Sequence, residues 1–283
     1  MRRCLRAGAA LLLVSLALPG AAIAETTAAM PAPAGAVVDR YPGIAPVYAV
    51  AIDGRLTWGA GLDTPRPPAS LAKLLTALAL LREGWQPDAT VTVSRAAAGI
   101  EGSRVGLRAG ETLRAADLLT GMLVRSGNDA CLALVEHAAG SLAAFLPRLD
   151  AAARAIGLAA SRFRHPCGLD ADGTRTTARD LLRLADAALA EPQIALRARA
   201  VEARIVTRAG REIRFHNSNA LIGRDPDAIG LKSGFTQKAG RCLIAVAERD
   251  GHRVVLVMLG AEERWWAASN LLVAGLAHAG ARP

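Results

Sequence analysis

Only three of the chain's 34 basic residues are lysines, and two of them stand where chemistry can use an ammonium group able to lose its proton. Lys73 closes Ser70-Leu71-Ala72-Lys73, and Lys232 opens Lys232-Ser233-Gly234. Arginine stays protonated at any accessible pH, whereas a desolvated lysine becomes a base. Spacing of three sets the Ser70 hydroxyl and the Lys73 amine on one helix face, within reach of proton transfer. Pro67-Pro68 predict that this helix begins at Ser70, where free backbone N–H groups suit a developing oxyanion. Leu71, Leu74, Leu75, Leu78, Leu80 and Leu81 make it apolar on nearly every side, so Lys73 is expected in low dielectric as a free amine that takes the Ser70 proton. The bland alternative is a capping serine and a lysine snorkelling to solvent, and Ser-x-x-Lys alone favours it. Lys238, the third lysine, reads as surface charge in a loop.

Two further clusters carry polar chemistry. In Ser126-Gly127-Asn128, between two helical segments, a hydroxyl and a carboxamide share one short loop and suit proton relay and the gripping of a peptide group. Taken alone the tripeptide equally fits a helix stop and cap. Lys232-Ser233-Gly234 falls on a predicted strand, 228–236, where Gly234 permits close approach of a ligand backbone and Lys232 suits a carboxylate. An edge-strand lysine that deters aggregation is the alternative there.

Strands are expected at both ends of the chain. Segments 47–52 and 55–59 flank Asp53-Gly54, a hairpin signal, and 241–248 and 253–259 flank Asp250-Gly251 after the strand 228–236. Between them, apolar spacing near 3.6 predicts helices over 70–81, 115–124, 129–139, 142–156 and 177–189. A smaller hairpin, 203–215, turns at Ala209-Gly210. The pattern implies an α/β fold: an antiparallel sheet built from both termini plus a mostly helical subdomain. Trp265, Trp266 and the apolar residues up to Leu276 read as the inner face of a terminal helix packed on that sheet.

The first 24 residues have a basic start, an apolar core from Ala7 to Leu18 and a small-residue run ending at Ala24, the pattern of a cleaved signal peptide. Residues 25–45, rich in Ala, Pro and Gly, form a lead-in, and 46–283 the folded domain. Removal of the leader takes three arginines and no acid from a chain of charge +9. The remaining arginines are scattered singly, which with export disfavours nucleic acid as a partner. Cys131, Cys167 and Cys242 lack metal-ligand spacing. At most one intrachain disulfide can form, and each cysteine reads by default as a buried small hydrophobe. No P-loop, dinucleotide fingerprint or H-E-x-x-H occurs, so neither metal nor cofactor is called for.

Ser-x-x-Lys, Ser-x-Asn and Lys-Ser-Gly in this order, in an exported chain, resemble the motif set of the penicillin-recognising serine enzymes. The stretches Pro67-Pro68-Ala69-Ser70-Leu71-Ala72-Lys73-Leu74, Glu101-Gly102-Ser103, Arg125-Ser126-Gly127-Asn128-Asp129-Ala130, Gly168-Leu169-Asp170, Thr177-Ala178-Arg179-Asp180-Leu181 and Gly230-Leu231-Lys232-Ser233-Gly234-Phe235-Thr236 look most like the low-molecular-mass D-alanyl-D-alanine carboxypeptidases. The resemblance implies a serine β-lactamase/penicillin-binding-protein-like fold and an acyl-enzyme on Ser70. It assigns Lys73 as base and Ser126 with Lys232 as proton relay. By the same resemblance Asn128 is expected to bind the substrate amide, Lys232 and Ser233 its carboxylate, and the N–H groups of Ser70 and Phe235, beside Gly234, the oxyanion. The resemblance implies peptidoglycan stem peptides as substrate and β-lactam antibiotics as covalent inhibitors. Larger relatives carry a second β domain and an amphipathic membrane anchor, which this sequence ends before, so a soluble periplasmic location without a stable membrane anchor is expected. Ser233 stands where threonine is usual, which puts substrate preference in question, and Cys167 also departs from the family pattern.

Rivals are a β-lactamase, an endopeptidase cutting cross-links of the same polymer, and a non-catalytic wall-binding protein. A class A β-lactamase needs a Glu-x-x-x-Asn setting between the second and third motifs, and Glu136, Glu191, Glu202 and Glu212 offer none. Loss of catalysis is at odds with the retention of Ser70, Lys73, Ser126, Asn128 and Lys232 together. A Ser-His-Asp hydrolase lacks its G-x-S-x-G.

Overall fold

The computed structural model describes residues 37–82 and 84–281. The leader expected over residues 1–24, and the lead-in up to residue 36, lie outside them. Five strands form one antiparallel sheet: β1 (Val47–Ile52), β2 (Arg55–Ala60), β7 (Ala228–Thr236), β8 (Gly240–Arg249) and β9 (His252–Leu259), in the order β2-β1-β9-β8-β7. The first and last thirds of the chain meet where β1 pairs with β9, Val47 opposite Leu259 and Ile52 opposite Val254. Both Asp-Gly turns have positive φ at each residue, 50° and 76° at Asp53-Gly54 and 52° and 81° at Asp250-Gly251. That is the turn whose twist matches paired strands.

Every residue of β1 is buried, because both faces of the sheet are covered. On one face Tyr48, Val50, Leu243, Leu256 and Met258 pack against Leu271, Leu272 and Leu276 of α8 (Arg264–Gly280). On the other, Val47, Ala49, Ile244, Val246, Val255 and Val257 join the main core with the helical region. That region comprises α1 (Ala72–Arg82), α2 (Arg95–Gly99), α3 (Ala115–Val124), α4 (Asn128–Ala139), α5 (Leu142–Ala155), α6 (Ala178–Leu189) and α7 (Pro192–Ala198). Two small hairpins complete it, β3 (Thr90–Thr92) with β4 (Thr112–Arg114) and β5 (Glu202–Val206) with β6 (Glu212–His216). The periodic segments appear as elements within a residue or two. The short α2, α7, β3 and β4 carry too little pattern to be read from sequence.

Two expectations need correction. Cys131 and Cys167 are not separate buried thiols: they form a disulfide with their Cα atoms 5.8 Å apart. The chain path from α4 round α5 returns the second cysteine to the first, a proximity that sequence spacing does not encode. Cys242 does remain a buried free thiol, and burial raises its pKa to about 11. Of the two tryptophans expected on the inner face of the terminal helix, Trp265 packs against the sheet-facing core and Trp266 does not. Trp266 is 68% exposed, and the inner face is Ala267, Ala268, Leu271, Leu272 and Leu276. Trp265, half-buried, carries the Arg264 guanidinium 4.5 Å above its ring.

Candidate active site

Pro67 and Pro68 lead into a 3-10 turn, Ala69–Leu71, that continues directly as α1. Ala69 is held at φ +50°, an unusual conformation for a residue with a Cβ. The strain sits next to Ser70, which faces a cleft of about 370 Å³. Ala72 to Leu80 are all buried, so α1 is a core helix and Lys73 does not snorkel.

Lys73 is fully buried and its Nζ has three partners: Ser70 Oγ at 2.9 Å, Asn128 Oδ1 at 2.6 Å and the Cys167 carbonyl. Two of these accept only, while a hydroxyl also donates. A neutral amine, with two N–H groups and one lone pair, satisfies all three if the lone pair takes the Ser70 proton. Burial, then the neighbouring Lys232, hold the Lys73 pKa well below its ordinary value, against an opposing pull from Asp129. The Asn128 amide is oriented by its other end, where Nδ2 donates to the Glu101 carbonyl at 2.6 Å.

The turn between α3 and α4 brings the second motif to Lys73. Ser126 is buried at φ +64°, and a Cβ at Gly127 would stand 2.9 Å from Asp129 Oδ1. The buried Asp129 carboxylate accepts the backbone N–H groups of Val105, Gly106, Leu107 and Ala130. The Asn128 N–H donates to the Ser103 carbonyl at 2.7 Å. Segment 101–107 is thereby pinned beside the cleft, where Gly102 and Ser103 line it.

The sheet's edge strand β7 supplies the third motif. Lys232 is buried and donates to the Ser233 carbonyl at 2.9 Å; burial, then the charge of Arg264, lowers its pKa to about 7. Ser233 Oγ donates to the Ser218 carbonyl at 3.1 Å. A Cβ on Gly234 would lie 2.8 Å from the Ser70 nitrogen, and one on Gly168 would lie 2.1 Å from the Ala69 carbonyl oxygen. Strand and loop therefore press on the 3-10 turn from two directions, and only glycine allows it. The Phe235 side chain is 55% exposed at the cleft.

Ser70, Ser126, Asn128, Ser233, Gly234 and Phe235 thus line one cleft, with Lys73 and Lys232 buried beneath it. Lys238 lies outside, exposed and paired with Asp172 at 3.1 Å. Sequence reasoning missed Ser218 and Arg264, which also line the cleft. Arg264 donates to the Gly234 carbonyl at 2.6 Å and adds a second positive charge near Lys232. Neither sits in a motif, and Arg264 is one arginine among many. Among the described residues, no three His, Cys, Asp or Glu side chains cluster to hold a metal.

An antiparallel sheet with a helical region, a serine and a buried lysine within hydrogen-bond distance define the class of serine acyl-transfer enzymes that work without histidine. The chain matches the D-alanyl-D-alanine carboxypeptidase family over residues 48–263. It is 32% identical to the D-alanyl-D-alanine carboxypeptidase DacB2 of Mycobacterium tuberculosis over 254 residues, covering 87% of this chain and 86% of that protein. With DacF of Bacillus subtilis, 29% identical over 212 residues, the match covers 74% of this chain and 54% of that protein, so the chain spans about half the length of that relative. A D-alanyl-D-alanine endopeptidase of Escherichia coli is similar as well, at 31% over 258 residues, 88% of this chain and 81% of that one. The crystal structure of a D-alanyl-D-alanine carboxypeptidase from M. tuberculosis superposes with a TM-score of 0.78 at 32% identity, covering 85% of this chain and 94% of that one. The chain belongs to the D-alanyl-D-alanine carboxypeptidase family of serine peptidases.

Proposed function

We propose that the protein removes the terminal D-alanine from peptidoglycan stem peptides through an acyl-enzyme on Ser70. Ser70 Oγ attacks the carbonyl of the penultimate D-alanine while Lys73 Nζ takes its proton. The oxyanion is received by the N–H groups of Ser70 and Phe235, on the two elements that Gly234 allows to touch. Ser126 and Lys232 relay the proton held by Lys73 to the departing D-alanine nitrogen, which returns Lys73 to the neutral amine. Its carboxylate is held by Lys232 and Ser233, with Arg264 adding charge, and Asn128 binds the substrate amide. Water then attacks the ester carbonyl with Lys73 again as base, the C–Oγ bond breaks, and Lys73 returns the proton to Ser70 Oγ. The observation that carries this reading is a fully buried Lys73 amine 2.9 Å from Ser70 Oγ, where burial holds its pKa well below the ordinary value.

Mixing the protein with a penicillin and following its intact mass tests the first half. A lasting adduct on Ser70 is expected, with β-lactams acting as covalent inhibitors. Drug consumed without an adduct means a β-lactamase, and drug untouched means a silent site. Release of free D-alanine from a peptide ending in D-Ala-D-Ala tests the second half. Cleavage of a cross-linked dimer in preference to that peptide means an endopeptidase. The location we propose is the periplasm, after cleavage behind Ala24. N-terminal sequencing of the exported protein is expected to begin at Glu25, and an intact leader on that protein contradicts it. No single described helix is long and apolar enough to cross a membrane.

A further inference from the structure

The two acceptors that hold the Lys73 amine belong to different elements. Asn128 opens α4, and Cys167 lies in the connection between α5 and α6. Cys131, one turn along α4 from Asn128, is bonded to Cys167, so a covalent link joins these elements beside the amine. Cys167 is fixed at each of its polar points: its N–H donates to His165 Nδ1 at 3.1 Å, its carbonyl accepts from Lys73, and its sulfur is in the bridge. Next to it, the Pro166 carbonyl accepts from Thr76 Oγ1, on α1 itself, at 2.7 Å. Both cysteines are fully buried, so the bridge acts on the site through geometry alone.

We propose that the Cys131–Cys167 disulfide is a positioning element for the reaction at Ser70, fixing the separation of the two acceptors that take the Lys73 N–H groups so that its lone pair stays directed at the serine. The inference rests on the reading of Lys73 as the base. Lys232 from β7, Asp129 from α4 and His165 from the connection are the charged or titratable groups that act on Lys73 or feel its charge. The bridge carries no charge, so its removal changes the amine through packing and hydration. Loss of the link lets the Cys167 carbonyl drift and water reach the amine, which then holds its proton to higher pH.

The test is the rate of acylation by a penicillin, read by intact mass from about pH 5 to about pH 10, for the wild type and two variants. These are Cys131→Ala/Cys167→Ala and Cys131→Val/Cys167→Ala, the second refilling part of the lost volume, with circular dichroism to establish folding. The ascending limb is expected to move up by about one pH unit. Acylation near neutral pH is expected to fall about tenfold. A folded variant with the wild-type profile overturns the proposal, whatever its melting temperature. If neither variant folds, the bridge is a requirement of folding and the proposal also fails. Absence of an adduct on the wild type overturns instead the reading of Ser70 and Lys73, a result distinct from the others.

Discussion

Each lysine of the site is useful in one protonation state, and the two states differ. In the proposed reaction Lys73 has to be neutral to act as base, while Lys232 has to be charged to hold a carboxylate. With its pKa near 7, Lys232 loses its charge as pH rises through neutrality, so kcat/KM for a carboxylate-ended peptide is expected to fall above about pH 7. Lys232→Arg, charged throughout, is expected to remove that descending limb in a pH–rate profile; an unchanged limb assigns it elsewhere. Burial of Lys232 also costs stability. Between about pH 7 and 10.5 the unfolded chain holds a proton there that the folded chain has released, so this group's contribution to stability rises with pH across that window. Lys232→Met is therefore expected to raise the melting temperature at pH 7 while abolishing turnover. For the proposed nucleophile and base, Ser70→Ala is expected to give no penicillin adduct on an intact fold. Lys73→Arg is expected to lose about a hundredfold or more in acylation, since guanidinium cannot take the proton.

Among the elements, the 3-10 turn at Ala69–Leu71 is the contact point of α1, β7 and the 165–170 connection. Gly234→Val places carbon where the Ser70 nitrogen needs room and is expected to cut acylation about a hundredfold with secondary structure retained, measured by stopped-flow labelling. Gly168→Ala adds a clash with the Ala69 carbonyl to a positive φ of 78°, and is expected to lower stability by about 1–3 kcal/mol or more in urea melts. The disulfide joins α4 to the same connection across a sequence separation of 36. Its removal is expected to cost about 4 kcal/mol by the loop-closure argument. That loss is separate from the change in pH profile argued above.

For the whole molecule, the sheet is the floor that both termini build, and α8 covers the side away from the helices. Leu271→Ala, which empties space against the sheet, is expected to cost about 2–5 kcal/mol, whereas Trp266→Ala on the outer face is expected to stay within about 0.5 kcal/mol. Equal losses in denaturant titrations would falsify this assignment of the helix's faces. Sheet and site are also coupled. β7 carries Lys232 to Phe235, so damage to the sheet should reach acylation, whereas damage to the outer face of α8 should not.

Much of this was legible in the chain because it is local. Ser70 and Lys73 are three residues apart on one helix, the Asp-Gly turns close adjacent strands, and the long helices carry their own apolar period. Ser126 with Asn128, and Lys232 with Ser233, are likewise neighbours in sequence, and their order was enough to indicate the family. Tertiary structure decided the rest. Asn128 is 55 residues from Lys73, and Cys167 is 94, yet both meet its amine. The bridge between Cys131 and Cys167, the arrival of Arg264 and Ser218 in the cleft, and the outward turn of Trp266 follow from how α4, α8 and β7 pack. Periodicity and motif spacing record the short-range geometry of a helix or a strand, while contacts between distant segments arise only when the apolar faces of those elements are buried against one another.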